Sequence, residues 1–405
     1  PLFTLDFNEW YRMKNKLDYL FVMILFGFLI SVPIGLLLSE NPEVLFYENR
    51  QPAVFPPLEK ESILNGSFIN MVDNYIGDRT TYRNSLILLK TVIDMKLNRP
   101  VINDILVQDK LLLPYHGYST WNTQYILDDS VRMAKKLAEV QKIIEGYGGK
   151  LYYLGLPQQY SYFCDEYPDY MDNRTWVIGK VHLAFSQALS EYNISFIDMM
   201  AIYKNLGSPA EYYSHSDHHY TYNGMLVAYQ ELMKQINEDN GLSLKIYSQD
   251  DLVYTSIINP FLGSLNRKIY GLWPSNEHIV VSSLKKPIKF TRYDNGEMVA
   301  SSLYETPPPE KKATYSIYMG GDIGETIIQT ERSELPSILI WGDSYSNALE
   351  TIIWAPFNEM RSLDLRYYSE QTLTSYILEY KPDILVCIRD DTSFLDFSGN
   401  GNLSG

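Results

Sequence analysis

The sequence predicts an α/β fold built around a parallel β-sheet. Between residues 129 and 199, short apolar runs alternate with amphipathic helical patterns, and such alternation implies parallel strands joined by right-handed crossovers. A further apolar run, Ile338–Trp341, breaks at a Gly-Asp pair and leads through Ser344 into a helical pattern. Because sites in such folds lie at the carboxyl ends of the strands, this junction is the first place to look for chemistry.

The N-terminal segment has the pattern of a membrane anchor. No charged residue occurs from Tyr19 to Leu38, and about 20 apolar residues span a bilayer core as a helix. Basic residues precede this segment and acidic residues follow it, so the positive-inside rule places the N-terminus in the cytoplasm. We therefore expect a cytoplasmic N-terminus over residues 1–18, a single transmembrane helix over residues 19–38, and an extracytoplasmic catalytic domain at the cell membrane.

A folded domain is expected over residues 61–400, after a proline-punctuated linker over residues 39–60. Within it, residues 62–97 are mostly helical in pattern, and a stretch at about 252–331 indicates a β-rich insertion with Asn295-Gly296 as a hairpin turn. The remaining patterns predict helices at 129–146, 176–192, 225–237 and 373–380, and strands at 151–156, 194–199, 279–283, 288–293, 315–318 and 383–388.

Composition excludes one class of partner. Lys and Arg total 34 against 49 for Asp and Glu, a formal charge of −15, so the basic footprint that nucleic-acid binding requires is missing. The two cysteines, Cys164 and Cys387, are too few for a disulfide scaffold. Cys387 lies in an apolar run and is expected to be a small core residue, and whether the two pair is left open by the sequence.

Ser344 is the candidate nucleophile. A strand-to-helix junction exposes a hydroxyl at the carboxyl end of the sheet, and the N–H groups of Ser344 and Tyr345 could hold a developing oxyanion. Gly342 would allow the backbone to bend sharply there. The alternative is that Asp343 or Ser344 only caps the following helix.

A serine hydroxyl needs a base within hydrogen-bond reach, and three of the six histidines fall in one stretch, residues 213–224. In an extended loop, Asp217 and His219 project to the same side, so Asp217 could orient His219 while its other nitrogen faces Ser344. Clustered His and Asp are also zinc ligand types, although the usual zinc-site spacings are missing. A solvated structural loop is a third interpretation.

The same residues resemble a known family. Asp217-His218-His219-Tyr220 is similar to the Asp-x-His-Trp signature of the alginate O-acetyltransferase-like (AlgJ/AlgX-like, DHHW) proteins, with Tyr220 in place of the tryptophan, and Gly342-Asp343-Ser344 resembles their nucleophile block. The resemblance spans about residues 45–400. Further family-like pieces are Glu48-Asn49-Arg50, Tyr75–Arg79, Phe261–Arg267, Leu363–Arg366 and Lys381–Asp383.

This resemblance implies an SGNH-hydrolase-like α/β domain with permuted motif order, because Asp and His precede Ser in the chain. It also implies transfer of acetyl groups to hydroxyls of an extracellular or cell-surface polysaccharide through an acyl-serine intermediate. The implied partners are the polysaccharide acceptor and an acetyl donor or multipass membrane O-acyltransferase, with no metal or organic cofactor. The charge of −15 fits a neutral polymer better than a strongly anionic one.

Three side chains complete the expected site. The family has an arginine at the position of Arg366, which would donate to the oxyanion, although a salt bridge to a neighbouring carboxylate is an equal alternative. Tyr220 and Tyr222, beside His219, could contact a sugar through their faces and hydroxyls. The competing functions are a carbohydrate acetylesterase with the same triad, a non-catalytic subunit of a polysaccharide export or modification complex, and a metal-dependent hydrolase.

Overall fold

The computed structural model describes residues 7–38, 44–48, 50–117 and 122–403, which form two compact units. One unit contains the described residues up to Ile102 together with Arg267–Leu272. The other contains Asn103–Asn266 and the chain from Trp273 onward.

The helices and strands are numbered here in chain order. The helices are α1 (Phe7–Leu38), α2 (Lys60–Leu64), α3 (Ser67–Arg79), α4 (Arg83–Lys96), α5 (Thr123–Glu145), α6 (Gln159–Tyr162), α7 (Thr175–Glu191), α8 (Met199–Asn205), α9 (Tyr222–Asn240), α10 (Ser264–Lys268), α11 (Tyr345–Ile353) and α12 (Leu373–Tyr380). The strands are β1 (Val101–Ile102), β2 (Ile105–Val107), β3 (Leu112–Pro114), β4 (Lys150–Leu156), β5 (Ser195–Asp198), β6 (Leu252–Ser256), β7 (Val280–Leu284), β8 (Thr291–Asp294), β9 (Glu297–Val299), β10 (Glu325–Gln329), β11 (Ser337–Gly342), β12 (Glu359–Leu363) and β13 (Ile384–Asp390).

The smaller unit consists mainly of helices. Asp78, which is buried near the end of α3, accepts a two-pronged hydrogen bond from the Arg50 guanidinium, at 2.6 and 2.7 Å, and another from the Ala53 N–H at 2.8 Å. The Arg50 hydrogen bond, its largest influence, lowers the pKa of Asp78. Arg50 and Asp78, from two of the family-like pieces, therefore tie the segment before α2 to the end of α3.

Among the residues described, no helix is long and apolar enough to cross a membrane. The transmembrane helix predicted over residues 19–38 thus finds no support in the structure. Parts of the predicted cytoplasmic N-terminus and linker, residues 1–6, 39–43 and 49, lie outside the described residues.

The larger unit is built on an eight-stranded mixed sheet of order β5-β4-β13-β11-β12-β10-β8-β9. The first five strands are parallel, as predicted. The last three are antiparallel, and the prediction of a β-rich insertion did not place them in the main sheet. They come from the predicted β-rich stretch, where hairpin connections give antiparallel neighbours.

The stretch at 252–331 contributes in two ways. Its strands β6 and β7 form a separate antiparallel pair, whereas β8, β9 and β10 extend the main sheet. The predicted turn at Asn295-Gly296 joins β8 to β9, with φ of 48° and 80°, as a tight hairpin requires. The strand predicted at 315–318 is wrong: Tyr315–Ile317 forms a 3₁₀ turn.

Helices cover both faces of the parallel part of the sheet. Leu339 and Trp341 of β11 belong to a buried core with residues of α5, α7 and α12. Ile338 and Ile340, which alternate with them and so face the other way, are also fully buried. A strand buried on both faces explains the continuous apolar run before Ser344. Cys164 and Cys387 are both buried and free.

Candidate active site

A short closed loop presents Asp217 and His219. Tyr213 and Tyr220 pair as an isolated antiparallel bridge, and the Ser214 N–H donates to the His219 carbonyl at 3.2 Å. Between these points the chain places the two predicted side chains on the same side of the loop. Asp217 and His219 are 2% and 3% exposed, so their interaction takes place almost out of water.

The structure brings Asp217, His219 and Ser344 into one hydrogen-bonded chain. The Nδ1 atom of His219 lies 2.6 Å from Oδ1 of Asp217, and its Nε2 atom lies 2.8 Å from Oγ of Ser344. The latter contact joins residues 125 positions apart in the chain. With Nδ1 protonated towards the carboxylate, Nε2 is free to accept the serine proton, which is the arrangement a general base needs.

Asp217 is kept ionised by its neighbours. Burial raises its pKa, but the charge and hydrogen bond of His219 oppose that effect, and the Ser264 N–H adds a hydrogen bond to Oδ2 at 2.6 Å. The net pKa is lowered, well below the usual range of an aspartate. A permanent carboxylate at this point stabilises a positive charge on the imidazole.

The segment around Ser264 supports the loop from behind. Leu265 and Asn266 donate their N–H groups to the Ser216 carbonyl at 3.0 and 3.1 Å. A side chain at Gly263 would place its Cβ 2.3 Å from that same carbonyl oxygen, so only glycine permits this approach. The family-like piece Phe261–Arg267 thus has a definite role, which is to fix the loop and supply a donor to Asp217.

A second support comes from Glu277. Its carboxylate accepts hydrogen bonds from the Ser214 hydroxyl at 2.9 Å, from the His215 N–H at 2.7 Å and from the Ser216 hydroxyl. Three donors on one carboxylate fix the first half of the loop before Asp217. No motif in the sequence indicated this residue.

Ser344 lies at the predicted strand-to-helix junction, between β11 and α11. Its side chain makes no capping hydrogen bond, so the alternative that it only caps the helix does not describe it. The cap is Asp343, which accepts the Tyr345 N–H at 3.0 Å. Gly342 is required for a different reason from the predicted bend: a Cβ there would lie 2.3 Å from the Ile388 carbonyl oxygen of β13.

This arrangement changes the expected oxyanion donors. The Tyr345 N–H already donates to Asp343, so the expectation that it would hold an oxyanion is not met in this structure. The Ser344 N–H has no acceptor among the described residues and remains suitable for that role. Burial raises the pKa of Asp343 above the ordinary value of an aspartate, although the Tyr345 N–H and nearby arginines oppose this.

Two tyrosines join the loop to the start of α11, the helix that follows Ser344. Tyr220 donates its hydroxyl to the Tyr345 carbonyl, and Tyr345 donates its own hydroxyl to the His218 carbonyl. The rings meet edge to face, with centroids 5.4 Å apart. Tyr220 is 2% exposed, so in this structure it joins the two halves of the site and does not present a face to substrate.

Arg366 and Tyr222, which were predicted to contact the oxyanion or the substrate, bond to other side chains in the structure. Arg366 is ion-paired, with its Nε 2.9 Å from Oδ1 of Asp364 and its Nη2 3.1 Å from Oδ2 of Asp322. The salt-bridge alternative therefore describes Arg366 better than the oxyanion donor. Tyr222 is buried at the start of α9, and its hydroxyl bonds that of Ser282.

Asp217, His218 and His219 also have the residue types and proximity of a metal site, with one ligand atom of each within 4.8 Å of the others. These atoms already have partners, however. Both ring nitrogens of His219 are hydrogen-bonded, and Nδ1 of His218 lies 2.6 Å from the Ser264 hydroxyl. A cation would have to displace this network, so the donor set fits an acid-base chain better than a metal.

Two cavities of the larger unit lie near this end of the sheet. A cavity of about 180 Å³ is lined by Asp217, Tyr220, Tyr222 and Tyr315. It therefore lies beside the Asp217 end of the hydrogen-bonded series that runs through His219 to Ser344. A larger one, about 690 Å³, is lined by Tyr160, Arg174, His182 and Asp391 among others and includes none of the three hydrogen-bonded residues. The chemistry of the side chains, and not cavity size, therefore identifies the candidate site.

Three neighbours of the site were not predicted from the sequence: Tyr315, whose ring stacks on His219, Ser264 and Glu277. Tyr315 was expected in a strand, and no sequence pattern relates it to a loop 96 positions away. Ser264 lay in a family-like piece without an assigned role. Only that piece offered a signal, since contacts between distant loops leave no periodic pattern.

Fold and site together define an SGNH-hydrolase-like α/β domain with a mixed sheet. Residues 123–286, less than half of the chain, match the family model described as the SGNH hydrolase-like domain of the acetyltransferase AlgX. The predicted resemblance is thereby confirmed over these residues, and the prediction of an acetyltransferase-type enzyme agrees with the family they match. No curated protein sequence matches the chain.

Solved structures show the same fold. PatB1 of Bacillus cereus has a TM-score of 0.61 and 20% identity, covering 72% of this chain and 96% of that one. PatB1 with a sulfonyl adduct has a TM-score of 0.59 and 20% identity, covering 72% and 95%. A DHHW family protein from Eubacterium siraeum DSM 15702 has a TM-score of 0.54 and 17% identity, covering 72% and 92%.

Proposed function

We propose that this protein transfers acetyl groups to hydroxyls of a polysaccharide, with Ser344 as nucleophile, His219 as general base and Asp217 as the residue that orients it. The observation that carries the proposal is the continuous hydrogen-bonded chain from Asp217 through His219 to Ser344, at 2.6 and 2.8 Å. The match of residues 123–286 to an acetyltransferase family model supports acetyl as the group transferred.

The first half-reaction acetylates the serine. Oγ of Ser344 attacks the carbonyl carbon of an acetyl ester while Nε2 of His219 takes its proton. The Ser344 N–H, which lacks an acceptor among the described residues, stabilises the oxyanion. The tetrahedral intermediate collapses, the donor's alkoxide leaves with the proton from Nε2, and Ser344 carries the acetyl group.

The second half-reaction passes that group on. A polysaccharide hydroxyl gives its proton to the same Nε2 atom and its oxygen attacks the acetyl-serine carbonyl. Collapse of the second intermediate returns the proton to Oγ of Ser344 and leaves an O-acetylated sugar. Water in place of the sugar hydroxyl would give acetate, so transferase and esterase differ only in what reaches the acyl-enzyme.

The partners follow from this chemistry. The proposal requires a polysaccharide acceptor and an acetyl donor, either a small ester or a membrane-embedded O-acyltransferase that hands acetyl to Ser344. An extracytoplasmic location would give the protein access to a surface polymer. That location stays a prediction and is testable by protease accessibility in intact cells.

The test uses the full chain, an isotopically labelled acetyl ester, and surface polysaccharide from the producing organism after mild alkaline removal of its native esters. We expect labelled acetyl on the polymer, and its loss in Ser344→Ala. Ser346→Ala is the matched control, because that hydroxyl lies close by in the first turn of α11 but bonds Glu350. Release of acetate with an unlabelled polymer would identify an esterase, and equal label with both variants would refute the proposed nucleophile.

A further inference from the structure

A tyrosine ring lies flat against the proposed base. The rings of Tyr315 and His219 are 4° from parallel, with centroids 3.7 Å apart. Tyr315 begins the 3₁₀ turn that replaces the predicted strand, and it is 8% exposed. Its hydroxyl has no hydrogen-bond partner among the described residues, so its ring, and not its polar end, makes the contact with the site.

The other neighbours of His219 either bond its ring nitrogens or lie tilted to its ring plane. Asp217 bonds Nδ1 and Ser344 bonds Nε2, both within hydrogen-bond distance. The His218 ring lies 3.7 Å away at 38°, and the Tyr345 ring 4.9 Å away at 53°, so both are tilted. Of these aromatic neighbours, Tyr315 alone is parallel to the imidazole, and it is therefore the one that restrains the tilt of the ring plane.

We propose that Tyr315 is a positioning residue for the transfer reaction, holding the imidazole plane of His219 in line with Ser344 and stabilising the imidazolium that forms when the serine loses its proton. This inference rests on the proposed function. An aromatic face attracts a cation, and the attraction is stronger out of water. The stack therefore favours the charged form of the base at the moment the reaction creates it.

The test is the rate at which phenylmethanesulfonyl fluoride inactivates Ser344, measured across the pH range in which an imidazole titrates. In Tyr315→Leu we expect the plateau rate to fall about 3- to 30-fold, the size of a buried cation–aromatic interaction. The midpoint of the acid limb should also move to lower pH, because protonation of the base loses the support of the ring. Tyr315→Phe keeps the ring and should retain both plateau and midpoint.

Tyr318→Leu is the matched control, since Tyr318 packs on Tyr315 at 4.9 Å and its hydroxyl bonds the Val280 carbonyl. A purely structural role would lower the plateau in both leucine variants without moving either midpoint, and that result would overturn the inference. So would a phenylalanine variant as impaired as the leucine variant. If Tyr315→Leu does not fold, Tyr315→Met removes the ring with a more adaptable side chain and is read in the same way.

The two proposals fail in different ways. A wild-type protein that reacts at Ser344, with a leucine variant that matches it in rate and midpoint, refutes the role of Tyr315 alone. A wild-type protein that the sulfonyl fluoride does not modify at Ser344 refutes the proposed function, and the inference about Tyr315 with it.

Discussion

Two buried histidines lie near the carboxyl ends of the parallel strands, and they differ in the group that is hydrogen-bonded to Nε2. His219 lies between the Asp217 carboxylate and the Ser344 hydroxyl. His182 lies between two carboxylates, with Nδ1 3.2 Å from Asp198 and Nε2 3.1 Å from Asp391. Asp198 ends β5 and Asp391 follows β13, so both clusters use the carboxyl ends of parallel strands.

The second partner determines what each histidine can do. Burial lowers the pKa of His182, but the hydrogen bonds and charges of Asp198 and Asp391 outweigh this and raise it to about 9. At neutral pH, His182 is therefore a fixed cation with both N–H groups donating, and it cannot accept a proton. His219 has a hydroxyl on Nε2, which can give up its proton. We infer that the hydroxyl partner makes a base and the carboxylate partner makes a structural ion pair.

Removing the Ser344 hydroxyl, the partner that distinguishes His219 from His182, should have the largest effect on activity. Ser344→Ala should lower kcat for acetyl transfer about a million-fold, as loss of a triad nucleophile does. Steady-state transfer with labelled acetyl ester measures the change, and thermal unfolding shows whether the fold persists. Residual activity within tenfold of wild type would rule out Ser344 as the nucleophile, by the usual scale of such effects.

The next largest effect should come from Asp217→Asn. An amide at this position can no longer accept from both His219 and Ser264 as the carboxylate does, and we expect kcat to fall about 10⁴-fold through the wrong imidazole tautomer. The same kinetic assay measures it. Asp198→Asn, the corresponding change in the other cluster, is the control and should leave kcat unchanged. Equal losses of kcat in the two variants would contradict the assignment of different roles to the two histidine clusters.

His182→Gln should lower the free energy of unfolding and leave kcat for acetyl transfer unchanged. It leaves the buried Asp391 and the partly exposed Asp198 without their cation. Removing the partner of a buried charge typically costs about 3 to 5 kcal/mol of unfolding free energy. Denaturant unfolding measures this cost, and transfer assays on the folded fraction should give the wild-type kcat. A large loss of kcat in a fully folded His182→Gln protein would mean that this cluster takes part in the reaction.

Much of the fold was predictable because its signals are local. Apolar runs and helical patterns gave the parallel strands around β4, β11 and β13 and the helices between them, since burial on a sheet or helix face leaves a period in the sequence. Antiparallel joining of β10 to β12 was not predictable, because pairing between distant segments leaves no such period. The 3₁₀ turn at Tyr315 was mistaken for a strand because its residues alternate as those of a strand do.

The site divides in the same way. The Asp217, His219 and Ser344 arrangement could be inferred because the chemistry requires those residue types and the two-residue spacing shows in the sequence. The role of Arg366 could not be assigned from the sequence, because the fold determines whether its guanidinium faces an oxyanion or pairs with Asp364. Glu277 and Tyr315 act through contacts that no spacing encodes.

A smaller effect concerns pH. The pKa of His182, about 9 in the folded protein, lies above the unfolded value of about 6.5, so its contribution to stability is complete below pH 6.5 and disappears as pH rises through 9. The difference amounts to about 3 kcal/mol. Urea unfolding from neutral to alkaline pH should show this loss in the wild type and not in His182→Gln. Parallel pH profiles of the two proteins would contradict the ion pair.

The most direct test of the central claim is to trap the acetyl-enzyme. Full-length protein is mixed with an acetyl ester in the absence of acceptor, quenched in acid within the first turnover, digested, and sequenced by mass spectrometry. The account predicts a single acetyl group on the peptide that carries Ser344, lost when acceptor polysaccharide is added before the quench. Acetyl found on another residue and discharged to the polymer, with Ser344 unmodified throughout, would contradict it.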